Sequence, residues 1–117
     1  PGATNFSTAI AYAELGGFPC LFITGQKPIR ASKQGKFQIV DIVDHFSRIS
    51  KKSLTVVEAG LIPSTMIELV RVAQREKPGP VHIELPEDIA EQRSDAREFH
   101  VQPPRRPVPD NKAVALA

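Results

Sequence analysis

Apolar and polar positions along this chain follow two periods. Residues 5–15 carry Phe6, Ala9, Ile10 and Ala13 at helical spacing, and Gly16-Gly17 supplies the left-handed backbone that stops a helix. The small residues Ala9, Ala11 and Ala13 would let this helix lie close to a sheet. Residues 19–24, from Pro19 through Cys20 to Thr24, form a short apolar run bounded by Pro and Gly, the pattern of a parallel strand covered on both faces. Residues 37–46 predict a second amphipathic helix, with Ile39, Ile42, Val43 and Phe46 on one face and Asp41, Asp44 and His45 on the other. A basic stretch over residues 49–57 holds the β-leaning Leu54-Thr55-Val56-Val57. Pro63 suits the first turn of a third helix reaching Arg75, with Met66, Ile67, Val70 and Ala73 as its buried stripe. Lys77-Pro78-Gly79-Pro80 breaks that helix and launches a strand over residues 81–85, whose residues alternate and which Pro86 ends.

Helices alternating with strands define the expected fold class: α/β, a partial parallel sheet flanked by helices. A sheet this small leaves a face or an edge uncovered, so the chain is expected to be a piece of a larger protein. Its start carries the same expectation. Pro1-Gly2-Ala3-Thr4-Asn5 is a turn running into a helix, with no Met ahead of it and no strand for the turn to leave. Thr4 or Asn5 can cap that helix, leaving its first amides pointing at whatever lies in front. Beyond residue 90 the composition shifts. Residues 91–110 are charged and rich in proline (Pro103, Pro104, Pro107, Pro109), with only Phe99, Val101 and Val108 as larger apolar residues. That is a linker, partly in polyproline II form. Pro104-Arg105-Arg106-Pro107 has the form of a P-x-x-P ligand, a pattern linkers hold by chance. Asp110 can cap a new helix over residues 111–117. The expected organisation is residues 1–90 as the later part of one domain, 91–110 as linker and 111–117 as the start of the next domain.

Composition narrows the function classes. A net charge of +2 over 117 residues is too small to argue for nucleic acid or a membrane surface. The single Cys20 excludes an internal disulfide and a Cys-based zinc site, and fits a reducing compartment such as the cytoplasm. No apolar run reaches membrane-spanning length, and no signal-peptide pattern stands at the start, although a targeting segment could precede Pro1. Cys20 reads as a small buried hydrophobe, since no His or cation flanks it. His45 reads as a surface residue, because its neighbour Asp44 cannot face it on a helix. His82 lacks partners at metal spacing and reads as a hydrogen-bonded structural histidine. No metal site is expected in this segment. The loop over residues 25–36 carries Lys27, Arg30, Lys33 and Lys36 without an acidic residue, at the carboxyl end of a predicted strand where α/β sheets bind ligands.

Specific words of the sequence go further than periodicity. Pro1-Gly2-Ala3-Thr4-Asn5, Phe22-Ile23-Thr24-Gly25, Phe37-Gln38 with Asp41-Ile42-Val43, Lys77-Pro78-Gly79-Pro80-Val81 and Leu85-Pro86-Glu87-Asp88 follow one another in order. Together they resemble the N-terminal pyrimidine-binding domain of thiamine diphosphate-dependent enzymes, and within that family the acetolactate synthase catalytic subunit. The resemblance spans residues 1–88.

It implies a carboligase that decarboxylates pyruvate and adds the remaining two-carbon unit to a second 2-keto acid, with the cofactor supplying the hard chemistry. It implies a homodimer or higher oligomer, the active site lying between two subunits, and magnesium held with the diphosphate by residues outside this segment. By position, Pro1 and Asn5 match the turn that packs on the pyrimidine ring. Gln38 matches a glutamine reaching the cofactor and substrate, and Phe37 an aromatic that shapes the substrate pocket. Lys77 stands where FAD-binding members have Arg, keeping the charge but losing the planar fork that grips a phosphate, and Glu87 stands where Lys is usual. The family's proton-relaying glutamate lies upstream of Pro1 and its magnesium motif downstream of Ala117, so the 117-residue chain alone is expected to be catalytically inert. The alternatives are another decarboxylase or oxidase of the same family, or a non-catalytic paralogue that keeps the fold as a binding module.

Overall fold

A computed structural model describes residues 1–30, 37–95, 100, 102, 108 and 110–115. The basic-loop residues Lys33 and Lys36, the linker residues Phe99 and Val101, the P-x-x-P segment and residues 116–117 lie outside the described residues. Three strands, β1 (Leu21–Gln26), β2 (Lys52–Thr55) and β3 (Val81–Pro86), form one parallel sheet in the order β1-β3-β2. The helices are α1 (Ser7–Gly16), α2 (Ile42–Ser47), α3 (Ile62–Gln74), α4 (Glu87–Ala90) and α5 (Asn111–Ala115). The α/β class with a parallel sheet flanked by helices is the architecture observed.

β3 is the central strand and the most deeply buried, covered on both faces. Its odd-numbered residues Val81 and Ile83 pack with Val56, Leu69, Ala73 and Ile89 in a core beneath α3. Leu69 and Ile89 are fully buried, and each such side chain contributes on the order of 2 kcal/mol by leaving water. The opposite face packs Ile10 of α1 with Ile42 and Phe46 of α2, and Phe22 of β1 leans on this cluster. The alternation in β3 therefore does not separate core from solvent. It separates an apolar layer from a buried polar one, His82 and Glu84 both being buried beneath α2.

Several boundaries differ from the sequence expectation, each for a local reason. The first strand starts two residues later and includes Gly25 and Gln26, because its pairing with β3 runs from Leu21↔Val81 to Gln26↔Pro86. Cys20 is then half-buried just ahead of the strand, not enclosed within it. Neither Thr4 nor Asn5 caps α1. Residues Gly2–Phe6 form a 3-10 turn in which the Thr4 amide and hydroxyl both donate to the Pro1 carbonyl, at 3.1 and 2.6 Å. The second helix begins only at Ile42. Gln38 has φ 59°, a left-handed conformation that no right-handed helix passes through, and the Asp41 carboxylate caps the helix by accepting the Asp44 amide at 2.9 Å. Ile39 is accordingly exposed. The buried stripe of α3 is Ile62, Met66, Leu69 and Ala73, rotated from the predicted one so that Ile67 and Val70 sit at its margin. At the start of α5 the Asp110 carboxylate accepts the Lys112 amide at 3.1 Å, the predicted cap.

Candidate functional site

In parallel sheets the carboxyl ends of the strands collect loops at one edge, and ligands bind there. A cavity of about 680 Å³ opens at that edge. The tight 3-10 turn sets Pro1, Gly2 and Ala3 as one wall. The carboxyl end of β1, from Ile23 to Lys27, forms the floor with Leu85, and Glu87 and Ala90 of α4 close one end. Gln38, Val40 and Ile42 complete the lining. The lining is mostly apolar, with a few polar groups converging on it, the usual make-up of a small-molecule site. Among the described residues, nothing hydrogen-bonds the Gln38 amide, so it is available to a ligand.

The sequence-predicted residues divide between two regions. Pro1 and Gln38 are brought together in this cavity. Asn5 is exposed and Phe37 is 69% exposed, and neither lines the cavity. Lys77 lies at the other end of the sheet, before β3 begins. Its ammonium donates to the carbonyls of Glu14 and Leu15 at 2.9 and 3.3 Å, capping the carboxyl end of α1 where cations are favoured. The loop after β1 is anchored, too. Asp88 at the start of α4 accepts the Ile29 amide at 3.1 Å and the Arg30 amide at 2.9 Å. Desolvation works against the Asp88 charge. The Arg30, Ile29 and Asp88 amides and the Arg30 guanidinium outweigh it and hold the carboxyl below its ordinary value.

Beneath the cavity runs a buried polar layer, of which sequence reasoning singled out only His82. His82 sits between two hydroxyls, with Thr24 Oγ1 2.8 Å from Nε2 and Ser53 Oγ 2.7 Å from Nδ1, and the edge of the Phe46 ring beside it. Burial lowers its pKa to about 4, so the ring is neutral at pH 7, one nitrogen donating and the other accepting. His82 is thus the hydrogen-bonded structural histidine expected. One step along β3, Glu84 is 5% exposed. It accepts the Thr55 hydroxyl at 2.7 Å and the Gln26 side-chain amide at 2.9 Å. The signal was present in the sequence as alternate polar positions, Thr24 and Gln26 in one strand and His82 and Glu84 in another. Only the register aligns them.

His45 is exposed, as expected, and its Nε2 lies 2.8 Å from the Ser7 hydroxyl. Among the described residues there is no group of three or more His, Cys, Asp or Glu that could hold a metal ion, and no helix long and apolar enough to cross a membrane.

A parallel sheet with a ligand-sized cavity at the carboxyl ends of its strands is an α/β arrangement suited to a small molecule, and comparison with known proteins narrows the class. Residues 1–45 match the family model described as thiamine pyrophosphate enzyme, N-terminal TPP binding domain. The chain is 34% identical over 101 residues to the probable acetolactate synthase large subunit of Methanocaldococcus jannaschii, covering 86% of this chain and 17% of that protein. It is 40% identical over 89 residues to the acetolactate synthase isozyme 1 large subunit of Escherichia coli, covering 76% and 16%. Against the probable acetolactate synthase 2, chloroplastic, of Oryza sativa it is 37% identical over 92 residues, covering 79% and 14%. Over most of its length the chain is therefore similar to acetolactate synthase large subunits, and its first 45 residues match the N-terminal domain of thiamine pyrophosphate enzymes. The match spans roughly one-sixth of the length of these curated relatives.

Proposed function

We propose that this chain forms the pyrimidine-side wall of the cofactor site in a thiamine diphosphate-dependent carboligase of the acetolactate synthase kind. The observation that carries this reading is the meeting of Pro1 and Gln38 across one cavity at the carboxyl ends of β1 and β3, within the segment that matches the family model. The residues present suit a flat aminopyrimidine. Pro1, Ala3, Val40 and Leu85 offer apolar surface to a ring, and Gln38 offers both a donor and an acceptor. Thiamine diphosphate, when bound, supplies the carbanion and electron sink for decarboxylating pyruvate and joining the remaining two carbons to a second 2-keto acid.

This chain's own part is narrower. The Pro1-Gly2-Ala3 wall orients the ring, the apolar lining excludes water, and the Gln38 amide donates to a substrate oxygen where charge develops. Magnesium and the diphosphate belong to residues beyond the described ones, on a second subunit of a homodimer. FAD is not part of the proposal, because the Lys77 ammonium is already engaged by two helix carbonyls.

In the full-length protein carrying this chain, Gln38→Ala should lower kcat for carboligation of pyruvate by roughly 10-fold to 100-fold, with the fold retained. Unchanged kinetics would remove Gln38 from the site. Absence of any product dependent on thiamine diphosphate in the unsubstituted protein would remove the reading as a whole.

A further inference from the structure

We propose that Gln26 is a positioning residue: clamped by Glu84, it fixes the segment that presents Gln38 to the cavity. This inference rests on the proposed function for its kinetic consequence and on geometry alone for the clamp.

Gln26 ends β1 on the same side of the sheet as Thr24, His82 and Glu84. Every polar atom of its side chain is engaged. Nε2 donates to Glu84 Oε1 at 2.9 Å and to the Val40 carbonyl at 3.1 Å, and Oε1 accepts the Lys27 amide at 3.0 Å. The acceptor that aims Nε2 is itself held, since Glu84 is buried and its other oxygen takes the Thr55 hydroxyl. A line of side chains therefore runs across all three strands, from β2 through β3 to β1, and ends on a backbone carbonyl outside the sheet. That carbonyl is the important one. Val40 O also accepts the Ile42 amide at 2.9 Å, so it joins the start of α2 to the sheet. Two residues before it, Gln38 takes the left-handed conformation that turns its backbone at the cavity wall. Left-handed backbone at a residue other than Gly or Asn persists only where the surroundings determine it. Among the described residues, Gln26 is the side chain whose hydrogen bond ties the residue 37–40 segment to the sheet.

The two N–H groups of a half-buried amide can reach Glu84 and Val40 at once, a paired geometry that a charged side chain would not reproduce. Gln26→Leu removes both donors and keeps the apolar stem. The fitting experiment is hydrogen exchange on the full-length protein, followed by kinetics. In Gln26→Leu the Ile42 amide should exchange roughly fivefold faster or more, the factor that one hydrogen bond supplies, while the Val81 and Val56 amides stay within about twofold of the parent. Gln26→Met provides a second variant should the first unfold, and Glu84→Gln, which still offers an acceptor, should match the parent. Carboligation kcat should fall roughly 10-fold in Gln26→Leu, and the double variant Gln26→Leu/Gln38→Ala should lose no more than Gln38→Ala alone, because Gln26 acts through Gln38. Unchanged Ile42 exchange in Gln26→Leu and Gln26→Met, or losses that multiply in the double variant, would overturn the positioning role. A parent protein without carboligase activity would overturn the proposed function instead, and the exchange arm would still decide the clamp.

Discussion

Acidification should weaken this fold through one imidazole, and the size of the effect can be worked out. His82 is fully buried, and its pKa lies at about 4 against 6.5 for a free histidine. The unfolded chain takes up a proton as pH falls through 6.5, and the folded chain refuses it until about 4. The stabilisation is therefore fully present above pH 6.5 and is lost progressively as pH falls towards 4, with no further loss from this group below that. With these two values, linkage puts the loss at about 2 kcal/mol by pH 5 and about 3 kcal/mol once both states are protonated. That is a large share of the stability of an ordinary domain. Exchange of the β3 amides, corrected for the intrinsic effect of pH, reads the opening free energy of the sheet directly. The imidazole C–H resonance of His82 reports its titration in parallel. His82→Gln keeps a donor and an acceptor for Ser53 and Thr24 but cannot titrate, so its profile from pH 7 to 5 should be nearly flat. The same fall in the variant as in the parent would refute the reasoning, as would a His82 resonance that titrates near 6.5.

Two further perturbations test the frame around the site. Gly17 has φ 67° at the end of α1, and a Cβ there would meet Lys77 Cε at 3.3 Å, so Gly17→Ala should cost about 1 kcal/mol in thermal or urea unfolding. Asp88→Asn should speed exchange of the Ile29 and Arg30 amides without changing β3, since both depend on its carboxylate. In the parent the same contact should hold above the ordinary Asp pKa of 3.8 and weaken as pH falls through the lower folded value.

How much could be read without coordinates depends on the range of the interaction. α1, α3 and β3 were legible because each carries its own periodicity and its own stop signals, Gly16-Gly17 for the first and Pro78-Gly79-Pro80 between the others. The second helix was overextended by five residues at its start, because Ile39 falls on one helical stripe with Ile42, Val43 and Phe46. What forbids the helix there is the left-handed Gln38, and the Asp41 cap then sets the true beginning. The stripe of α3 was rotated for a related reason. Met66, Ile67, Leu69 and Val70 leave two apolar faces available, and packing against Val81 and Ile83 chooses between them. The motif words singled out Pro1 and Gln38, which both line the cavity, whereas Gln26 and Glu84 gave no local sign of their pairing.

By itself, then, the sequence determined the class of fold and the family resemblance, because hydrophobic period and turn chemistry are local properties and the motif words follow one another along the chain. The tertiary structure alone decided the strand order β1-β3-β2, and with it which polar side chains meet. Parallel pairing sets Thr24 beside Glu84 and Thr55 on the other flank, residues separated by long stretches of chain. A buried carboxylate or imidazole is tolerated only where such partners arrive together, so its environment belongs to the register of the sheet and not to any segment of the chain. The same holds for the cavity. Pro1, ahead of α1, and Gln38, after β1, line one cavity only because the fold brings both to the carboxyl ends of β1 and β3.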